Sequence, residues 1–319
     1  MQLSIIIVNW KSKEYLQKCI ASILALTHDL DYEVIVIDAA SYDGCGEMLS
    51  EAYPQVRFIQ GQANGGFAKS NNSAFRASQG DALLFLNPDT ELCGRAINLM
   101  YEQLLSLPQS GAIGCRLLNS DGTLQASCIQ SFPTLVNQLL NAELIRRWFP
   151  RSPLWGMAPL FSDSVSPSEV DVVSGACLMM RRKVFAEVGG FSTEYFMYSE
   201  DVDLCFKVRQ ASYVNYYVPT ARVIHHGGRS TAESGVNLFS SVMMLESRWR
   251  FFLKTRPAWY CWLYRAGMFV ISLVRVVLAL LIRAVESLRN KETSWNATVA
   301  KWGGRFRWAL GLEDWVKDY

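Results

Sequence analysis

Through residues 3 to 86 short, fully apolar runs alternate with longer amphipathic stretches. Residues 5–8 predict a strand, and the stretch from Ser12 predicts a helix, because Leu16, Ile20, Ile23 and Leu24 recur on one face. Residues 34–37 predict a second strand ending in Asp38, followed by the polar turn Ser41-Tyr42-Asp43-Gly44 and a helix through Met48 and Leu49. Residues 56–59 form a third expected strand, 61–66 a glycine-rich loop, 67–78 a helix, and 81–86 a return to the sheet. Such repetition predicts a parallel sheet, since apolar runs without polar alternation belong to strands covered on both faces.

Beyond this the pattern loosens. Residues 98–107 predict a helix, and residues 119–170, punctuated by Pro and Ser, read as a loop-rich insertion. Residues 172–180 read as a strand broken by small residues, and 181–188 as a short helix stopped by Gly189-Gly190. Ser199 is expected to cap a helix whose first turn carries Glu200, Asp201 and Asp203, where the helix dipole favours negative charge. A last strand reaches Val223-Ile224, before His225-His226-Gly227-Gly228.

The chemistry gathers where these strands end. Leu83-Leu84-Phe85-Leu86-Asn87-Pro88-Asp89 drives an apolar run into a turn that bears a carboxylate, and Pro88 cannot extend the hydrogen-bond ladder. Asp89 is therefore either a solvated turn acid or a group delivered to the sheet edge where α/β folds bind ligands. Asp38 and Asp43 arrive at the same edge in the same way, as do the Glu200-Asp201-Asp203 set and His225 or His226. Carboxylates that converge repel one another unless a cation lies among them, and Mg2+ or Mn2+ is the natural resolution. Asp89 is its candidate ligand with His225 as a second, or the histidine is structural. Glu200-Asp201 reads as either a general base or an ordinary helix-start pair. Asn64-Gly65-Gly66 reads as a backbone phosphate cradle or a plain turn.

Composition divides the chain. Of 319 residues half are hydrophobic and the net charge is only +2, yet residues 248–309 carry twelve Lys or Arg against Glu286 and Glu292 alone. Seven of the ten Trp lie from Trp249 onward, so an acidic body at residues 1–240 and a basic, Trp-rich helical tail at 241–319 are expected. Trp among Lys291, Lys301, Arg305 and Arg307 favours a membrane surface over nucleic acid. Residues 259–282 are long enough to span a bilayer, but Arg265 and Arg275 interrupt them. Because Arg265, Arg275 and Arg283 share one side of a helix, an amphipathic helix lying in the interface is expected; the alternative is an appendage packed on the body or on a second copy in a homo-oligomer. The eight Cys form no C-x-x-C pair, which predicts reduced thiols and neither a zinc site nor a disulfide framework. Met1 runs into the first strand without a basic segment, so no signal peptide is expected.

Taken in order, Ser4-Ile5-Ile6-Ile7-Val8-Asn9, Val36-Ile37-Asp38 with Asp43-Gly44, Asn64-Gly65-Gly66-Phe67, Leu86-Asn87-Pro88-Asp89, Ser174-Gly175-Ala176, Gly190-Phe191, Glu200-Asp201-Val202-Asp203-Leu204 and His225-His226-Gly227 resemble a family 2 glycosyltransferase of the GT-A fold, most of all its bacterial rhamnosyltransferase-like members. The resemblance covers roughly residues 3 to 232. It implies a Rossmann-like, mostly parallel central sheet flanked by helices, and an inverting transferase that takes a nucleoside-diphosphate sugar and a divalent metal. It further implies that Asp38 and Asp43 bind the nucleoside, that Asn87-Pro88-Asp89 stands in for the family's D-x-D with Asp89 on the metal, that His225 or its neighbour completes the metal site, and that Asp201 of the Glu200-Asp201 pair is the base. The donor is expected to be dTDP-rhamnose and the acceptor a lipid-linked saccharide or polysaccharide at the cytoplasmic face of the inner membrane. Two departures stand out: Asn87 replaces the first acid of D-x-D, and Ala39 follows Asp38 where the family often has Asn. A nucleotidyltransferase or a non-catalytic scaffold of the same fold are the alternatives; the first would need a basic Gly-rich N-terminal signature that Ser4 to Lys11 lacks.

Overall fold

The structure, a computed structural model, describes residues 1–140, 143–227, 238–288 and 295–319. It divides into two compact units: Met1–Phe132 with Leu144–Phe196 and Glu200–Ser230, and Pro133–Glu143 with Met197–Ser199 and Thr231–Tyr319.

The first unit opens as the hydrophobic pattern requires. Strand β1 (Leu3–Asn9) is followed by α1 (Lys13–Leu26), β2 (Tyr32–Asp38), α2 (Cys45–Ala52), β3 (Arg57–Gln60), α3 (Gly66–Ala77) and β4 (Ala82–Leu86). These four strands are parallel in the order β3-β2-β1-β4, with Asn9 level with Asp38 and Asp38 level with Gln60. Every residue of β4 is buried, as a strand with neighbours on both sides and helices on both faces must be.

Past β4 the sheet becomes mixed. Next come β5 (Thr90–Cys93), α4 (Ala96–Ser106), β6 (Ser110–Leu118), β7 (Ile129–Gln130), α5 (Leu135–Leu139), α6 (Glu143–Trp148), β8 (Ser168–Val170), β9 (Val172–Val173), β10 (Cys177–Arg181), α7 (Arg182–Glu187), α8 (Glu200–Gln210) and β11 (Val214–His225). Among the described residues nine strands form one sheet in the order β3-β2-β1-β4-β10-β6-β11-β5, with β8 beside β11. Here β10 runs antiparallel between β4 and β6, while β11 is parallel to β6 and antiparallel to β5 and β8. The stretch expected as one broken strand over 172–180 is two strands in two sheets, since β9 pairs with β7 and not with the main sheet. The insertion at 119–170 carries short elements rather than being all loop.

Ser199 does not cap α8 in the expected manner: its φ is +67° and its buried hydroxyl has no partner among the described residues, whereas an N-cap holds extended backbone and accepts an N–H.

The second unit holds α5, then α9 (Leu238–Thr255), α10 (Ala258–Leu288) and α11 (Asn296–Leu310). On α10 part of the charged side meets aromatic rings. The Arg265 guanidinium lies over the rings of Trp249, Trp262 and Trp308 at 5.3, 5.8 and 5.3 Å and donates to Trp308 O and Ala309 O at the C-terminal end of α11. There cation–π attraction and the helix dipole both favour a cation. Arg275 similarly lies over Trp302. Two of the three charges thus turn toward α11, while Val270, Leu273, Val274, Val277, Leu278 and Leu281 of α10 stay exposed. Lys291 lies outside the described residues.

Candidate active site

The edge formed by the ends of β1, β2, β3 and β4 carries the first cluster. Asp38 accepts from Ser41 N–H and hydroxyl, Tyr42 N–H, Gln60 Nε2 at 2.9 Å and Asn9 Nδ2 at 2.9 Å. Asp43 accepts from Asn9 Nδ2 at 3.2 Å, from Lys13 N–H at the start of α1 and from Cys45 N–H at the start of α2. Asp43 rather than Ser12 therefore terminates α1, because Ser12 makes no side-chain cap. Burial pushes both carboxyls up, but these donors outweigh it and hold Asp38 and Asp43 below the usual carboxylate range. A cleft of about 620 Å³ opens here, with Asp38, Asp43, Tyr42, Phe58 and Gln60 in its wall. That is the size of a small-ligand site with aromatic faces and a few fixed polar groups.

Asp38, Asp43 and Cys45 offer ligand atoms within 4.8 Å of one another. As a site for a hard cation the group fits poorly. Its carboxylates are already occupied by N–H and O–H donors, and burial raises the Cys45 thiol, which leaves it protonated at neutral pH.

The loop before α3 also closes on itself. Gly65 N–H donates to Ala63 O, Gly66 N–H to Asn64 Oδ1, and Phe67 N–H to Phe196 O. The three amides of this loop, read above as a phosphate cradle or a plain turn, are thus engaged. Gly66 is required for another reason: its φ is +83°, and a Cβ there would lie 2.3 Å from Phe196 O.

At the end of β4, Asn87 N–H donates to Ala176 O, so the Asn87-Pro88-Asp89 turn lies against the turn Ser174-Gly175-Ala176. The same turn holds Asp201: Gly175 N–H donates to Asp201 Oδ2 at 3.0 Å and Val202 N–H to Oδ1 at 2.8 Å. A side chain at Gly175 would crowd Asp201, its Cβ falling 3.3 Å from the Asp201 Cβ. Asp201 is half-buried, Glu200 is buried, and Asp203 is fully buried and accepts from Ser192 Oγ beside Lys207. The three acids of one helical turn thus have different surroundings.

The end of β11 supplies the third part. His225 Nε2 lies 3.3 Å from Asp89 Oδ1 and 3.3 Å from Asn87 Nδ2, while His225 Nδ1 lies 2.8 Å from Gln125 Oε1. The Gln125 amide donates its N–H2 to Asn119 Oδ1 and His225 O. Its oxygen therefore faces Nδ1, which must carry a proton, and Nε2 is the ring nitrogen turned toward Asp89. Two ligands each about 2.1 Å from one cation sit about 3 Å apart, so Asp89 and His225 fit a shared divalent ion. His226 is engaged otherwise, with Nε2 2.8 Å from Glu91 Oε1 and Nδ1 2.8 Å from Ser120 Oγ.

Sequence reasoning overlooked Asn9, Gln60 and Gln125. Asn9 and Gln60 had a signal, as they end strands level with Asp38; Gln125 sits in the irregular insertion and had none.

The family model described as glycosyl transferase family 2 matches residues 4–189. An N-acetylglucosaminyl-diphospho-decaprenol L-rhamnosyltransferase of Mycobacterium tuberculosis is 33% identical over 242 residues, covering 72% of this chain and 77% of the relative. The rhamnosyltransferase WbbL of Escherichia coli K12 is 27% identical over 231 residues, 70% of this chain and 82% of the relative. Among solved structures, the mannosyltransferase PcManGT from Pyrobaculum calidifontis in complex with GDP-Man and Mn2+ superposes with a TM-score of 0.55 at 15% identity, covering 98% of this chain and 86% of the other.

Proposed function

The chain belongs to glycosyl transferase family 2, and from that premise we propose that it transfers L-rhamnose from dTDP-rhamnose, with inversion, to a saccharide linked through a diphosphate to a polyprenyl lipid in cell-surface glycan assembly. The observation that carries the reading is the shared turn contact: one short segment, Ser174-Gly175-Ala176, contacts both the Asp89 turn and the Asp201 carboxylate. Acid for the donor side and base for the acceptor side are thereby tied to one piece of backbone. The L-rhamnosyltransferases among the relatives supply the sugar and the acceptor class.

In this reading Tyr42 and Phe58 flank the nucleobase in the 620 Å³ cleft. Asp38 and Asp43 hold the residues 39–44 loop that shapes it; Gln60, which donates to Asp38 and to Gly61 O, lines the same cleft and offers its amide to a nucleoside. Asn64, Gly65 and Gly66 position α3 through their own bonds. Asn87 orients the donor beside Asp89, and Asp89 with His225 would hold Mg2+ or Mn2+. When bound, the cation neutralises charge on the departing diphosphate. Asp201 does the proton work: with one lone pair on each oxygen taken by Gly175 N–H and Val202 N–H, its outer lone pairs accept the acceptor hydroxyl proton as that oxygen attacks the anomeric carbon. Glu200, buried beside it, is a secondary contributor to the base site.

The exposed face of α10 is read as membrane-embedded. Within Ala258–Glu286 an 18-residue stretch has a mean hydropathy of 2.4 and is only 17% buried, and the ring contacts and carbonyl bonds of Arg265 lower the cost of burying this helix in lipid. The enzyme is thereby kept at the cytoplasmic face, where a lipid-linked acceptor resides.

The test is a panel of nucleotide sugars presented with and without Mn2+. dTDP-rhamnose is expected to bind in the presence of the cation and to give an inverted product; binding of a different donor class, or equal binding after chelation, contradicts the assignment.

A further inference from the structure

Thr90, the first residue of β5, is polar and yet fully buried. Its Oγ1 donates to Asn87 O at 2.7 Å, closing the Asn87-Pro88-Asp89 turn from its far end. Pro88 has no N–H, and the Asn87 N–H is already given to Ala176 O, so neither residue can close the turn through its own amide. A threonine hydroxyl does it instead. Thr90 also stands level with His225 across the β5–β11 pair, and one step further on His226 N–H donates to Asp89 O. The same residue thus has Asp89 as its chain neighbour and His225 as its strand partner.

Helix α1 backs this arrangement. Cys19 Sγ lies 3.5 Å from Thr90 Oγ1 and 3.8 Å from Asn87 O. Burial pushes the Cys19 thiol up to about 12, so it keeps its proton at neutral pH and is a donor to this pair of oxygens. Three residues later on the same face of α1, Ser22 Oγ accepts from Leu92 N–H. Two side chains of α1 therefore fix β5, and the start of α1 is in turn held by Asp43. Packing alone does not call for a hydroxyl here: Val would fill the same space with no buried polar group to satisfy. The turn that Thr90 closes is also the one in which Asn87 stands where D-x-D has its first acid, so a single carboxylate of this turn is left to meet a cation and its placement matters more.

We propose that Thr90 is a positioning residue of the donor site: its hydroxyl fixes the Asn87 carbonyl and so the attitude in which Asn87-Pro88-Asp89 presents the Asp89 carboxylate, opposite His225, to a divalent cation. This rests on the transferase reading above and adds what keeps its one acid in place.

The experiment uses the full chain and reads Mn2+ binding by electron paramagnetic resonance with dTDP present, beside calorimetric titration of dTDP without metal and thermal melts; no transfer is measured. Thr90→Ser and Thr90→Ala both remove the methyl, and only the second removes the hydroxyl. Thr90→Ala is expected to bind Mn2+ about tenfold or more weakly than Thr90→Ser, the effect of losing a group that orients a metal ligand, while Thr90→Ser stays close to the wild type. Affinity for dTDP without metal should be the same in all three, because the cleft lined by Asp38, Asp43 and Phe58 is untouched. Should Thr90→Ala fail to give a cooperative melt, Thr90→Val read against Thr90→Ser makes the same comparison with the volume kept. Equal Mn2+ affinity with and without the hydroxyl, whatever the thermal midpoints, overturns the inference and leaves the transferase reading standing: Thr90 then serves stability alone. Loss of metal-free dTDP binding in step with Mn2+ binding overturns it as well, since the whole unit has then been disturbed. A wild type that binds no Mn2+ beside dTDP overturns the metal assignment of the transferase reading, and the inference with it.

Discussion

At the residue scale the candidate site is built from pairs in which one member does chemistry and the other fixes it. Gln125 fixes His225, so Gln125→Ala should weaken Mn2+-dependent donor binding about 10- to 100-fold, the usual effect of losing a ligand's supporting hydrogen bond, and should leave the thermal midpoint nearly unchanged; calorimetric titration of the nucleotide with Mn2+ measures it. Asp38 and Asp43 make a second, titratable pair. Donors hold both below their ordinary value of 3.8 in the folded chain. Their stabilising contribution is therefore complete above that value and lost as pH falls through the lower folded values. Asp43→Asn is expected to lower the midpoint at pH 7 and to flatten its fall in acid, read by thermal melts from pH 7 to pH 3. Asp89, Asp201 and His225 were legible in the sequence because each follows an apolar run or starts a helix. Gln125 was not, since what makes it matter is a contact 100 residues away, and sequence does not reveal that the amides of the Gly65-Gly66 loop are engaged.

At the element scale, strands covered on both faces were plain and strands containing glycine were hidden. β6 carries Gly111 and Gly114 within its apolar run, and both are dictated by neighbours: a Cβ at Gly111 would lie 2.0 Å from Val208 Cγ1, and one at Gly114 2.6 Å from Val173 Cβ. Gly111→Ala should therefore cost about 1–3 kcal/mol by overpacking, with part recovered in Gly111→Ala/Val208→Ala; denaturant melts of the pair provide the check. β4 gives the opposite case. Phe85 is fully buried and meets Phe185 and Phe191 with ring centroids at 4.9 and 4.8 Å, so Phe85→Ala should cost about 3–5 kcal/mol. Because β4 leads into Asn87-Pro88-Asp89, that variant should also lose donor affinity, whereas Gly111→Ala should keep it. The antiparallel half of the sheet escaped the sequence because strand direction is fixed by long-range pairing, as between β10 and β4, and not by local pattern.

At the scale of the whole molecule, the division of charge seen in the composition reads as an acidic unit and a helical unit with an exposed apolar surface. α10 has 31 residues, about 46 Å at 1.5 Å per residue, more than the roughly 30 Å of a hydrocarbon core. The full chain is expected in the membrane fraction after a high-salt wash, because apolar burial, unlike charge attraction, is not screened. Val277→Arg/Leu281→Arg, on the exposed face, should release it, while Arg265→Leu should lower the stability of the helical unit through loss of its bonds to Trp308 O and Ala309 O. Release by salt alone would contradict the embedded reading. The central claim is that Asp201 takes the acceptor's proton while Asp89 and His225 serve the donor, and the most direct measurement is the turnover of Asp201→Asn set beside its affinity for dTDP-rhamnose with Mn2+. The account predicts turnover reduced by about 10²-fold or more with donor affinity kept; unchanged turnover, or loss of donor binding in step with turnover, contradicts it.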